Sequence, residues 1–166
     1  MAATSWNPKC ARIATDAGGG IAPIYKFKEA ASQSYKAGAL VYLDATNGLV
    51  TLVGDSGTLI AGIAQEDASG TTSTAAHVQI IRPGDRVYFT CYDASDAAEK
   101  AASNFKAGFT YDIEEISGVA YAEFDSGHAT SEELIFIQPV YDANGTSTNV
   151  GIFQVEATAL NFGDSD

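Results

Sequence analysis

Gly54-Asp55-Ser56-Gly57 and Thr74-Ala75-Ala76-His77 hold the residue types of a serine hydrolase, a hydroxyl to attack and an imidazole to take its proton. Their arrangement argues against that chemistry. Ser56 precedes His77, Thr58-Leu59 follows the serine, and Ser56 falls in a turn between two strand candidates, where Gly, Asp and Ser are expected for backbone reasons alone. His77 and His128 are the only imidazoles, too few for a His-rich catalytic metal centre. Asp93-Ala94-Ser95-Asp96, Glu114-Glu115 and Glu132-Glu133 offer oxygen ligands to a hard cation. None has EF-hand spacing, and on so negative a chain acidic pairs read as solvated faces. Glycoside hydrolysis needs two carboxyl groups across a cleft, which spacing alone cannot place here.

The remaining reactive candidates are equally plain. Cys10 and Cys91 form neither a CxxC pair nor a zinc cluster and read as two free thiols. Gly18-Gly19-Gly20 is followed by no GK[ST], so it is not a phosphate loop. Asn144-Gly145-Thr146 fits a glycosylation sequon, yet Asn-Gly is also the strongest short hairpin signal, and the turn is the preferred reading. The expectation is a protein without catalytic residues, cofactor or metal.

The net charge of -12 over 166 residues argues against nucleic acid, whose binding rests on Lys and Arg neutralising phosphates. Residues 1–36 carry a charge of +3 and the rest -15. That asymmetry could steer the basic end toward an acidic protein surface. No run reaches the 18 or more apolar residues of a membrane span, and the first residues lack the order of a secretory signal. Synthesis in the cytoplasm without export by that route, and no membrane partner, are expected. The length suits one compact domain that buries roughly 70% of its unfolded surface.

Short alternating segments dominate from Ile24 onward. Strands are expected near 24–28, 39–44, 49–53, 59–64, 76–81, 86–92, 109–114, 119–124, 133–140 and 150–157. Between them lie turn residues, among them Gly38, Gly48, Pro83, Gly84, Gly108 and Gly118. This is an all-β pattern, a single sandwich or barrel over residues 24–160. One short helix is expected from Ala97 to Asn104, capped by Asp96 with Glu99 three residues on. Residues 1–23, hinged at Gly18-Gly19-Gly20, read as a mobile arm, and residues 161–166 as a frayed end.

The stretch YKAGALVYLD, Tyr35 to Asp44, returns as FKAGFTYDIE, Phe105 to Glu114. Without a gap, Tyr35/Phe105, Lys36/Lys106, Ala37/Ala107, Gly38/Gly108, Leu43/Ile113, Asp44/Glu114 and Gly48/Gly118 correspond. Ahead of them, Glu29/Glu99 and Ala31/Ala101 fall in step. Each copy reads as a glycine that turns the chain, a strand, a tight turn and a return strand, an internal hairpin repeat. Duplication and convergent demands on two similar corners both account for it.

In order along the chain, Tyr25-Lys26-Phe27-Lys28-Glu29-Ala30, Tyr35-Lys36-Ala37-Gly38 with Val41-Tyr42-Leu43-Asp44, Ile60 to Gly70 (IAGIAQEDASG) and Ile81-Arg82-Pro83-Gly84-Asp85 resemble the head decoration, or cement, proteins of tailed bacteriophages. The resemblance covers roughly residues 24–157. It implies a non-enzymatic β-rich protein on the outer surface of the phage capsid. Such a protein binds the major capsid protein, clamps neighbouring capsomers and associates with itself as a homotrimer, or as a dimer. The N-terminal arm has no counterpart in the resemblance. Trp6, Lys9, Arg12 and Ile13, the only Trp beside the net-basic stretch, are expected to anchor it on the coat protein. The alternative is a carbohydrate-binding, adhesin-like module on the virion surface, with Tyr88, Tyr92 and Tyr111 lining a shallow site.

Overall fold

The computed structural model describes residues 12–15, 22–44, 47–52, 59–72, 74–117, 119–124 and 133–160. Its strands are β1 (Arg12–Thr15), β2 (Ile24–Lys28), β3 (Leu40–Leu43), β4 (Val50–Leu52), β5 (Gly62–Ala64), β6 (Ala75–Ile80), β7 (Arg86–Asp93), β8 (Ala98–Glu99), β9 (Thr110–Tyr111), β10 (Ile113–Ile116), β11 (Val119–Glu123), β12 (Leu134–Tyr141) and β13 (Ser147–Val155). The all-β architecture is as the alternation predicts. What the sequence shows as a repeated hairpin is, in the fold, a repeated five-stranded unit.

The first unit runs β2-β6-β5-β3-β4, and a parallel bridge from Glu29 to Val50 brings β4 back to β2. The second runs β10-β11-β7-β13-β12-β9. Since β9 and β10 are one strand interrupted only at Asp112, that order closes on itself as a five-stranded barrel. Registers match position by position. Leu40 faces Ile63 as Thr110 faces Ile135, and Ile63 faces Gln79 as Ile135 faces Gln154. Phe27 faces Ala76 as Phe89 faces Gly151. The closing parallel contacts coincide too, Glu29–Val50 in one unit and Cys91–Ala122 in the other.

Entry into each unit uses the same turn. Gly38 and Gly108 have φ of 89° and 79°, a conformation that costs glycine nothing. The amides of Ala39 and Phe109 donate to the carbonyls of Lys36 and Lys106 at 2.9 and 3.1 Å, and Tyr35 and Phe105 are both buried. The earlier part of the ungapped alignment does not survive. Glu29 follows β2 at the closing bridge, whereas Glu99 lies on β8, which has no counterpart among the described residues of the first unit. Ala31 and Ala101 therefore match in sequence only.

The interiors differ in filling. Val41, Ala64, Ala76 and Val78 surround Tyr35 in the first unit, and Tyr111, Phe136, Gly151 and Phe153 hold the corresponding positions around Phe105 in the second. Phe89, Phe105, Tyr111, Phe136 and Phe153 interlock with centroid separations of 4.5 to 6.5 Å, mostly edge to face. Gly151 makes room for them, since a Cβ there would sit 2.7 Å from both the Phe136 and Phe153 rings.

Leu40, Ile60, Ile63 and Ile81 of the first unit are buried in one continuous cluster with the second core and Leu160. The junction Ile81–Asp85 is a tight turn with Gly84 at φ 87°. Asp85, fully buried, accepts the Arg82 amide at 2.9 Å, and its own amide returns to the Arg82 carbonyl at 3.0 Å. The chain therefore passes from unit to unit without a linker.

The expected helix over 97–104 is absent. Asp93 accepts the amides of Ser95 and Asp96, Ala97 turns back at φ 50°, and β8 pairs with β7 before a 3-10 turn at Ala102–Asn104. Side-chain capture of the backbone by Asp93 out-competes helix nucleation, which a short Ala-rich run cannot offset alone. A second 3-10 turn, Ala157–Ala159, precedes Leu160. Within the expected arm, Arg12–Thr15 runs antiparallel along β7. Residues 1–11, 16–21 and 161–166 lie outside the described residues.

Candidate functional site

The reactive candidates are partnered structurally or fall elsewhere. His77 sits half-exposed on β6, and its Nδ1 lies 2.7 Å from Glu66 Oε1; this bond draws the Glu66 carboxyl below its ordinary range. Ser56 lies outside the described residues, as do Trp6, Lys9, Cys10, Gly118, His128 and Glu132. Asp93 is held down to about 2 by the Ser95 hydroxyl and by Lys100, whose Nζ is 3.0 Å away and also reaches Asp96. An ammonium thus stands where the Asp93–Asp96 pair would have taken a cation.

Glu114 and Glu115 are successive on β10 and point to opposite faces, so they do not converge. Glu133 is buried and accepts the Ile113 amide at 3.2 Å. Glu29, also buried, accepts the amides of Ser69 and Gly70 and the Ser69 hydroxyl, pinning that loop against the end of β2. Burial, then the Glu29 charge, drives the neighbouring Tyr35 phenol far up. Burial likewise pushes the Cys91 thiol up and makes it a poor nucleophile. Among the described residues, no group of three His, Cys, Asp or Glu is placed to hold a metal ion.

The three tyrosines of the carbohydrate-binding alternative do not form one platform. Tyr111 is buried in the second barrel and accepts the Lys106 amide through its hydroxyl at 2.8 Å. Tyr88 and Tyr92 remain half-buried on β7, with Tyr92 packed on Tyr121 at 5.2 Å. Barrel closure turns Tyr111 inward, an orientation that alternation alone left open.

An open apolar surface lies on the first unit among the described residues. Ile24 and Tyr25 are 52% and 53% exposed on adjacent positions of β2, which ends the sheet path on that side. Beside them, Pro23, Tyr25, Phe27, Ile80 and Arg82 line an open, mainly apolar depression of about 550 Å³. Ile80 donates to the Pro23 carbonyl and Glu29 to the Thr74 carbonyl, so the odd-numbered residues 23 to 29 face β6. The backbone groups of Ile24, Lys26 and Lys28 consequently face outward. Lys26 and Lys28 give this edge positive charge on a molecule of net charge -12. The segment reads in sequence as an ordinary alternating strand; that no strand among the described residues pairs with the outer side of Ile24 to Lys28 depends on which strands neighbour it.

No protein family, curated protein or solved structure matches this chain.

Proposed function

We propose that this chain is a structural decoration protein that binds the outside of an assembled tailed-phage head and clamps neighbouring capsomers. One observation carries the reading. The four segments that resemble cement proteins, scattered from Tyr25 to Asp85, come together as a single unit of β2, the entry into β3, β5 with its following turn, and the junction to β7. The second unit repeats that plan.

The physical demands of the role agree with this build. A ligand that binds only the assembled lattice lowers the free energy of that state in proportion to its affinity and concentration, without any reactive group. Two units joined through a buried turn, one filled with interlocked rings, share one continuous core. β1 ties the base of the N-terminal segment to β7 by main-chain pairing, so a pull on residues preceding Arg12 is delivered into the second barrel. Trp6 and Lys9 remain the proposed contacts to the major capsid protein, with Arg12 and Ile13 at the tethered base. A homotrimer is the proposed assembly on the shell.

Replacing Trp6 and Lys9 together by Ala tests the proposed contact. Occupancy on expanded shells, read by electron microscopy, should require at least about tenfold more protein if the pair contributes 1.4 kcal/mol or more. Unchanged occupancy would remove these residues from the interface. A glycan array run in parallel separates the adhesin reading, which requires specific glycan binding and no affinity for shells.

A further inference from the structure

The corner that opens each unit is one turn built twice and finished in two ways. Gly38 and Gly108 donate their amides to the carbonyls of Ala64 and Phe136 at 2.7 and 2.8 Å, the same contact at matching points of β5 and β12. Each turn closes through the amide that follows its glycine, donated back to the lysine carbonyl. Two donors of the corner are left over by that closure. They are the lysine ammonium and the amide of the alanine next to it.

In the first unit one carboxylate takes both. Asp67 accepts the Ala37 amide through Oδ1 at 3.0 Å and the Lys36 ammonium through Oδ2 at 2.9 Å. The next residue, Ala68, donates its amide to the Tyr35 carbonyl at 2.9 Å. The bond from Ala37, then that from Lys36, draws the Asp67 carboxyl below its ordinary range, as a site that favours the anion should. An aromatic-Lys-Ala-Gly corner thus reads an Asp-Ala step at three points.

In the second unit the chain that would bring such a step goes elsewhere. β5 ends at Ala64 and its following loop folds over the corner, whereas β12 stays paired with β13 as far as Tyr141. Ile137 to Val140 of β12 include no acid. Lys106, Ala107 and Gly108 are exposed to solvent. Phe109 is 59% exposed where the first unit has the buried Ala39. The Lys106 Nζ stands 5.4 Å from the Phe109 ring centroid, which keeps the cation beside the turn.

We infer that the corner Phe105–Phe109 is a peptide-binding site that takes an Asp-X step exposed on a separate protein. The incoming carboxylate bridges the Lys106 ammonium and the Ala107 amide, and the amide of X donates to the Phe105 carbonyl, as Asp67 and Ala68 do at the first corner. The Phe109 ring adds apolar surface beside the step. A charge-assisted pair of bonds to one carboxylate gives the site its preference for aspartate over a neutral side chain. Two copies of this chain, each of net charge -12, repel one another, which favours a different protein as the source.

Titration of the isotope-labelled full chain with the capped peptide Gln-Glu-Asp-Ala-Ser-Gly, the sequence of residues 65–70, followed by NMR, tests the site. The amide signals of Ala107 and Gly108 should move saturably, and that of Ala37, whose acceptor is already in place, should not. Asparagine in place of the peptide's aspartate should raise the half-saturating concentration at least about fivefold, and Lys106→Glu in the protein should do the same. No response of Ala107, or an equal response to the asparagine peptide, would overturn the inference. Movement of the Ala107 amide on raising the protein concentration without peptide would also overturn it, because a second copy would then fill the corner.

Discussion

Gly151 shows how one residue sets what its neighbours can be. The first unit has Ala76 at the matching position and fills its interior with Ala64 and Val78; the second has glycine there and fills with Phe136 and Phe153. Gly151→Ala should destabilise the protein by about 1–3 kcal/mol in denaturant unfolding, because the two rings must shift to admit a methyl group. An unchanged midpoint would contradict the packing described. Asp93 makes a prediction in pH. Its carboxyl is depressed, so its contribution is fully present above the ordinary carboxylate value of about 4 and is lost as pH falls through about 2. Melting temperatures of the wild type and of Asp93→Asn should therefore converge over that interval, and a constant gap would contradict the assignment. At this scale, turn residues such as Gly38, Gly84 and Gly108 were legible because a positive φ leaves few alternatives. Partnerships such as Lys100 with Asp93 were not, since they depend on where β8 returns.

Elements were legible where alternation was strong and illegible where a side chain captured the backbone. The strands from β2 to β13 lie close to their expected places, with β8 the exception. Residues 97–104 carried a cap, a capping-box acid and a run of alanines, yet the Asp93 turn prevailed. Ala97→Gly distinguishes the two outcomes. In a helix this change would cost about 1 kcal/mol, whereas at φ 50° it should leave stability unchanged or raise it slightly. Asp85 tests the junction. Asp85→Ala leaves the part-buried Arg82 amide without its acceptor and should cost about 1–3 kcal/mol in denaturant unfolding. A neutral change would mean that the turn is held by other contacts. The edge of β2 could not have been read from IYKFK alone, because alternation states which residues share a face and not which strand lies alongside.

The whole molecule is one plan used twice and fused across a shared core. The gapless match at an offset of 70 residues revealed only the corner where the two units keep equal spacing. Elsewhere insertions such as β8 shift the correspondence, so that Glu29 matches Cys91 and not Glu99. Because Leu40, Ile60, Ile63 and Ile81 are buried against the second unit, the two should unfold together in one cooperative denaturant transition. Two separated transitions would mean that the shared cluster contributes little. The proposed decoration role is tested most directly by cosedimentation of the purified protein with expanded shells assembled from a tailed-phage coat protein of the same genome, compared with that coat protein unassembled. Saturable binding to shells and none to free coat protein is the expected result, and failure of the full-length protein to bind shells would contradict the proposed role.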